Sequence, residues 1–156
     1  MKSNFRLCAL VLALSVSGCA HESRMMLPPP GPDPQVALEV QQSNSGAPGF
    51  ATTYGSNGRM YIYRFIGGNA NRGNFRYKIG DGASNIHITL RADPTFAIKD
   101  VPVDGNSNGQ LTATVENPTK AKIHNANTAE LDAYYSVKVV DGTADIYCDP
   151  GIINNR

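Results

Sequence analysis

Four stretches of this chain alternate apolar and polar side chains residue by residue, and that period of two constrains the fold more than any other feature. Val36, Leu38 and Val40 alternate with Ala37, Glu39 and Gln41, and Ile86, Ile88 and Leu90 alternate with His87, Thr89 and Arg91. Leu111, Ala113 and Val115 alternate with Thr112, Thr114 and Glu116, and Tyr135, Val137 and Val139 with Ser136, Lys138 and Val140. Successive side chains of an extended strand point to opposite faces, so each stretch offers one face to a core and the other to water. No window of comparable length spaces its apolar residues by three and four, as an amphipathic helix requires.

Residues 59–66 are apolar on both faces, with Tyr61, Tyr63 and Phe65 opposite Met60, Ile62 and Ile66. Such a strand is central, or its aromatic face is covered by another element; an exposed aromatic platform for a carbohydrate or peptide is the other reading. Turn chemistry agrees with strands. Asp141-Gly142 between two alternating runs predicts a hairpin with a type I′ turn, which needs positive φ at both central residues. Gly80-Asp81-Gly82 and residues 104–109 mark two further reversals. About seven strands joined by glycine- and asparagine-rich turns point to a single antiparallel, Ig-like β-sandwich over residues 35–156. A domain of this size buries roughly two thirds of its chain surface on folding, enough for stability without disulfides.

Residues 1–18 have the layout of an export signal: Lys2 and Arg6, an apolar run at 7–16, then Ser17-Gly18. The run is about half the ~20 residues needed to cross a bilayer as a helix. Cys19 directly after Val16-Ser17-Gly18 resembles the lipobox of bacterial lipoproteins. The resemblance implies cleavage before Cys19, diacylglycerol on its thiol and an acyl chain such as palmitate on its amino group. Each buried methylene contributes about 0.8 kcal/mol, and two chains already anchor stably. Ala20, not Asp, follows the cysteine, which resembles outer-membrane cargo and implies an anchored protein facing the periplasm. Residues 19–34 form a linker in which Pro28, Pro29, Pro30, Pro32 and Pro34 favour the extended polyproline conformation, a semi-rigid spacer.

Of the 14 basic residues the signal carries two, so the processed chain sets 12 against 13 acidic ones, a net charge of −1. A nucleic-acid binder needs a concentrated basic face. Lys120, Lys122 and His124 instead alternate along a strand, as a solvated face does. Cys8 leaves with the signal and Cys19 carries lipid, which leaves Cys148 without an intramolecular partner. It shares a period-two face with Ala144 and Ile146 and is expected to be buried and inert.

The final segment, residues 134–142 followed by Tyr147-Cys148-Asp149-Pro150-Gly151-Ile152-Ile153-Asn154-Asn155, resembles the terminal hairpin of the small bacterial DP-EP family. The resemblance covers the last quarter of the chain and rests on Asp149, Pro150, Ile152 and Asn154. It is distantly similar to the AidA/PixA inclusion-body proteins as well, and it implies an all-β fold without an established activity. The signature also has a physical reading, in which Pro150 and Asp149 together end the last strand.

Asp104-x-Asn106-x-Asn108-Gly109 matches the first half of a calcium loop, yet Val115 stands where the bidentate acid belongs. An asparagine-rich reversal is the alternative. The histidines His21, His87 and His124 lie far apart and none follows Cys148, against copper or zinc sites. No Gly-x-Ser-x-Gly or His-Glu-x-x-His occurs, and the glycine-rich 67–73 segment lies between strands rather than before a helix. The sequence therefore points to a non-catalytic envelope lipoprotein that binds an envelope protein or glycan through loops 42–57, 67–74 and 117–132. It carries no cofactor beyond its lipid. The rival is a periplasmic enzyme or metal-dependent carbohydrate-binding protein using Asp104, Asn106, Asn108 and the tyrosines of 59–66.

Overall fold

The computed structural model describes residues 33–106 and 108–155, the last five by their backbone. The signal, Cys19 and the prolines before Pro34 lie outside the described residues. All regular structure within them is strand: β1 (Gln35–Gln42), β2 (Ala51–Tyr54), β3 (Met60–Gly67), β4 (Phe75–Lys78), β5 (Ser84–Arg91), β6 (Ala97–Asp100) and β7 (Val103–Asp104). Then follow β8 (Leu111–Asn117), β9 (Lys120–Asn125), β10 (Leu131–Tyr135), β11 (Val137–Val140), β12 (Asp145–Cys148) and β13 (Gly151–Asn155).

The main sheet has six strands in the order β2-β3-β1-β5-β9-β8. Strand β1 lies at its centre, antiparallel to β3 and parallel to β5, so that Leu38 stands opposite both Phe65 and Leu90. The expectation of a purely antiparallel sandwich is thereby corrected, since β13 also runs parallel to β4. Alternation identifies a strand and its buried face, but the direction of its neighbour depends on how the intervening chain is routed. Here β2 and β3 add to one side of β1 before β5 returns on the other.

The remaining strands form ladders β4-β13-β10-β7 and β12-β11-β6. Their registers are continuous. Val137 pairs with Cys148 and Tyr134 with Gly151, so β10–β11 and β12–β13 form one long hairpin interrupted opposite Asp149-Pro150. On its other side Ser136 N–H donates to Pro102 O at 3.0 Å, bridging the gap between β6 and β7. Pro102 and Pro150 thus flank the central strand at one level, where neither has an N–H to donate. Pro150 was expected to end the last strand; the strand instead resumes in register at Gly151. Such interruptions, together with β2 inside a segment expected to be a loop, explain why thirteen strand segments stand among the described residues where about seven were expected.

Inward residues of all these ladders meet in one cluster, including Leu38, Tyr61 and Ile123 from the main sheet and Phe75, Tyr135, Val139 and Ile146 from the others. Edge-on ring contacts Tyr61–Phe96 and Phe65–Tyr135 cross it. The outward Lys120 and His124 are exposed, as their alternation predicts. Cys148 is fully buried, and burial pushes its thiol up, away from the reactive thiolate.

The β11–β12 hairpin forms at the expected place with different turn chemistry. Gly142 has φ of 87°, but Asp141 is not left-handed, so the turn is not type I′. Asp141 acts through its side chain. One carboxylate oxygen accepts from Thr143 N–H at 2.8 Å, Thr143 Oγ1 at 2.8 Å and Ala144 N–H at 2.9 Å, and the other accepts from the Tyr61 hydroxyl. Burial works to raise this carboxyl, and the hydrogen bonds from Tyr61, Thr143 and Ala144 outweigh it and hold it at about 2. Its folded value lies below its ordinary 3.8, so the associated stability is fully present above about pH 4 and is lost as pH falls through about 2. Discounted for solvent screening, that stability is about 1 kcal/mol. In urea titrations between pH 5 and 2, Asp141→Asn is expected to flatten the acid loss by that amount; an unchanged slope would remove Asp141 from the acid response.

Candidate functional site

The interruption at Asp149-Pro150 leaves a gap between the β12-β11-β6 and β4-β13-β10-β7 ladders, and two loops converge on it. The result is a cleft of about 430 Å³ lined by Phe50, Tyr63, Arg64, Arg72, Asn74, Asp149 and Pro150, among others. This lies within the roughly 300–1,000 Å³ of small-molecule sites.

Each wall has a separate origin. Tyr63 is on the inward face of β3, yet it is only half buried because the opposing strand breaks beside it. Its hydroxyl accepts from Asp149 N–H at 3.5 Å, and burial pushes its phenol up. Phe50 ends the 43–50 loop, where its N–H donates to Ala47 O at 3.1 Å. The Arg64 guanidinium stacks on the Phe50 ring, 4.6 Å from its centroid, and Arg64 Nε donates to Glu39 Oε2 at 2.6 Å. Glu39 therefore steers Arg64, and Arg64 steers the aromatic wall.

The third wall is strained. Asn74 N–H donates to Asn71 O at 2.9 Å, closing a turn whose central residues Arg72 and Gly73 have φ of 51° and 77°. Two left-handed central residues are the mark of a type I′ turn, where asparagine or glycine usually precedes glycine. Arginine there costs roughly 1–2 kcal/mol. Gly73 fixes the turn to the core: its carbonyl accepts from the buried Tyr135 hydroxyl at 2.7 Å, and an added Cβ would lie 2.6 Å from Phe65 Cγ. Arg72 is exposed and has no ion-pair partner among the described residues, and Asp149, which lines the same cleft, has none either. The cleft thus combines one unpaired cation, one unpaired anion and two half-buried aromatic rings.

Of the three loops expected to carry contacts, 42–57 supplies Phe50 and 67–74 supplies Arg72 and Asn74. The third, 117–132, supplies none of the residues lining this cleft. It contains β9, and its 126–130 part is clamped by buried Gln110, whose Oε1 accepts from Thr128 N–H at 2.7 Å and Ala129 N–H at 2.8 Å. Tyr61, expected beside Tyr63 on one face, is sealed in the core, so the aromatic run is divided between packing and the cleft.

Of the calcium-loop residues, Asn106 and Asn108 direct their side-chain oxygens to N–H groups of the segment that follows. Asp104 ends β7 opposite Tyr134. Asn106 brackets Leu111, accepting from its N–H at 3.0 Å and donating to its carbonyl at 2.8 Å. Asn108 Oδ1 accepts from Gln110 Nε2 at 3.4 Å. Among the described residues no group of three or more His, Cys, Asp or Glu side chains is placed to hold a metal. Cys19, the expected lipidation site, lies outside the described residues.

Sequence reasoning did not single out Phe50, Arg72 or the open side of Asp149 as partners in one site. The local signal was the Asn71-Arg72-Gly73 triplet, in which arginine occupies a position that left-handed backbone disfavours. The chain matches no protein-family model and no curated protein.

Proposed function

We propose that this protein is a lipid-anchored envelope lipoprotein whose β-domain, a single sandwich, is a non-catalytic binding module that engages another envelope component through the Phe50–Tyr63–Arg72–Asp149 cleft. The anchor reading rests on residues 1–19, with Cys19 as the lipid attachment point and the outer membrane facing the periplasm as its place. The cleft carries the binding reading, since it sets an accessible cation and an accessible anion beside two half-buried aromatic rings, the mix of apolar wall and few polar groups that marks a ligand site.

The test pairs two variants of the full chain. Cys19→Ala is expected to release the protein from the membrane fraction, or leave it unprocessed, and intact mass of the wild type is expected to show a chain starting at Cys19 plus acyl groups. Phe50→Ala is expected to leave anchoring intact and to reduce the crosslinked envelope component recovered with the protein at least five-fold. An unmodified soluble wild type removes the anchor, and undiminished recovery with Phe50→Ala removes the cleft.

A further inference from the structure

The strongest unexplained feature of the cleft is Arg72, held on left-handed backbone at an energetic cost, forming no ion pair among the described residues and sharing the space with Asp149, Phe50 and Tyr63. We propose that the cleft binds an acidic saccharide: the sugar carboxylate pairs with Arg72, its hydroxyls donate to Asp149, and the C–H face of its ring lies against Phe50 and Tyr63. This rests on the reading of the cleft as the binding site and adds the ligand class.

Four considerations select that chemistry. Arg64, the other cation of the cleft, is neutralised by Glu39 and engaged with Phe50, so Arg72 remains to meet an anion. Guanidinium donates in a planar fork that matches a carboxylate with two parallel hydrogen bonds. A purely anionic ligand such as free phosphate would be repelled by Asp149, whereas a ligand carrying both a carboxylate and hydroxyl donors satisfies both walls. The aromatic rings then cover an apolar surface that a sugar ring has and a small inorganic anion lacks.

The strain at Arg72 gives the proposal a signature that a structural role would not produce. Asparagine is the residue this turn position accepts most readily, so Arg72→Asn is expected to raise the melting temperature by about 2–5 °C while it abolishes recognition. The experiment titrates the full chain in detergent micelles with glucuronate, digalacturonate and N-acetylmuramate, each beside its neutral counterpart glucose, digalactose or N-acetylglucosamine. At least one acidic sugar is expected to bind ten-fold or more tightly than its neutral partner, and Arg72→Asn to erase that difference. Arg72→Lys, which keeps the charge without the fork, is expected to retain part of it. Equal binding of acidic and neutral sugars, binding unaffected by Arg72→Asn, or binding of free glutamate in place of every sugar would each overturn the proposal. If no acidic sugar binds while Phe50→Ala still releases the envelope component, the saccharide assignment fails and the cleft reading stands; if Phe50→Ala releases nothing, the cleft reading itself has failed.

Discussion

Gly73→Ala is expected to cost about 3–4 kcal/mol, lowering the melting temperature by roughly 10–20 °C. Two terms add. Left-handed backbone at φ of 77° costs a residue with a Cβ about 1–2 kcal/mol. The new Cβ would also meet Phe65 Cγ at 2.6 Å and Cβ at 2.7 Å, and Phe65 cannot retreat because it is buried on β3 against Tyr135. Overpacking of that kind contributes a further ~1–3 kcal/mol. Gly142→Ala is the control: φ is 87° there, but the added Cβ meets nothing within 4 Å. It is expected to cost only about 1 kcal/mol. Equal losses in the two variants, read from urea midpoints, would mean that Phe65 does not constrain the loop.

Tyr61→Ala is expected to be as severe, at about 3–5 kcal/mol. Tyr61 is fully buried, meets Phe96 edge-on with centroids 6.3 Å apart, and reaches the β11–β12 turn through Asp141. Gly55 closes over the ring so tightly that a Cβ there would lie 2.7 Å from Tyr61 Cε2, which leaves no neighbour to fill the space. Tyr61→Phe separates packing from hydrogen bonding. It keeps the ring and removes the donor to Asp141, and is expected to cost about 1–1.5 kcal/mol and to weaken the acid dependence that Asp141 imposes. Chemical denaturation of both variants at pH 7 and pH 3 reads the two effects. A Phe variant as unstable as the Ala variant would place the role of Tyr61 in its hydroxyl and not in its ring.

These two positions show where sequence reading stops. The alternation that marks β3 also places Tyr61, Tyr63 and Phe65 on one face, but their environments differ. Tyr61 and Phe65 meet intact neighbours, whereas Tyr63 faces the break in the opposing strand at Asp149-Pro150. Proline made that break foreseeable, since it has no N–H for a ladder. That β13 would resume in the same register depended on the pairing of Tyr134 with Gly151 and of Leu131 with Asn154. Asp141-Gly142 likewise announced a hairpin, and the turn forms through the aspartate side chain because Tyr61 comes from another strand to hold it.

By itself the sequence determined the all-β class, the buried faces of β1, β5, β8 and β11, the solvated face of β9 and the burial of Cys148. Each follows from period-two alternation, which acts over neighbouring residues and needs no knowledge of the partner strand. Only the tertiary structure decided that β1 and β5 run parallel, that Gln110 braces the 126–130 segment, and that Phe50, Arg72 and Asp149 share a cleft. Residues so distant in the chain meet through strand routing and loop closure, and the energies that select them arise from contacts that exist only once the sheets have assembled.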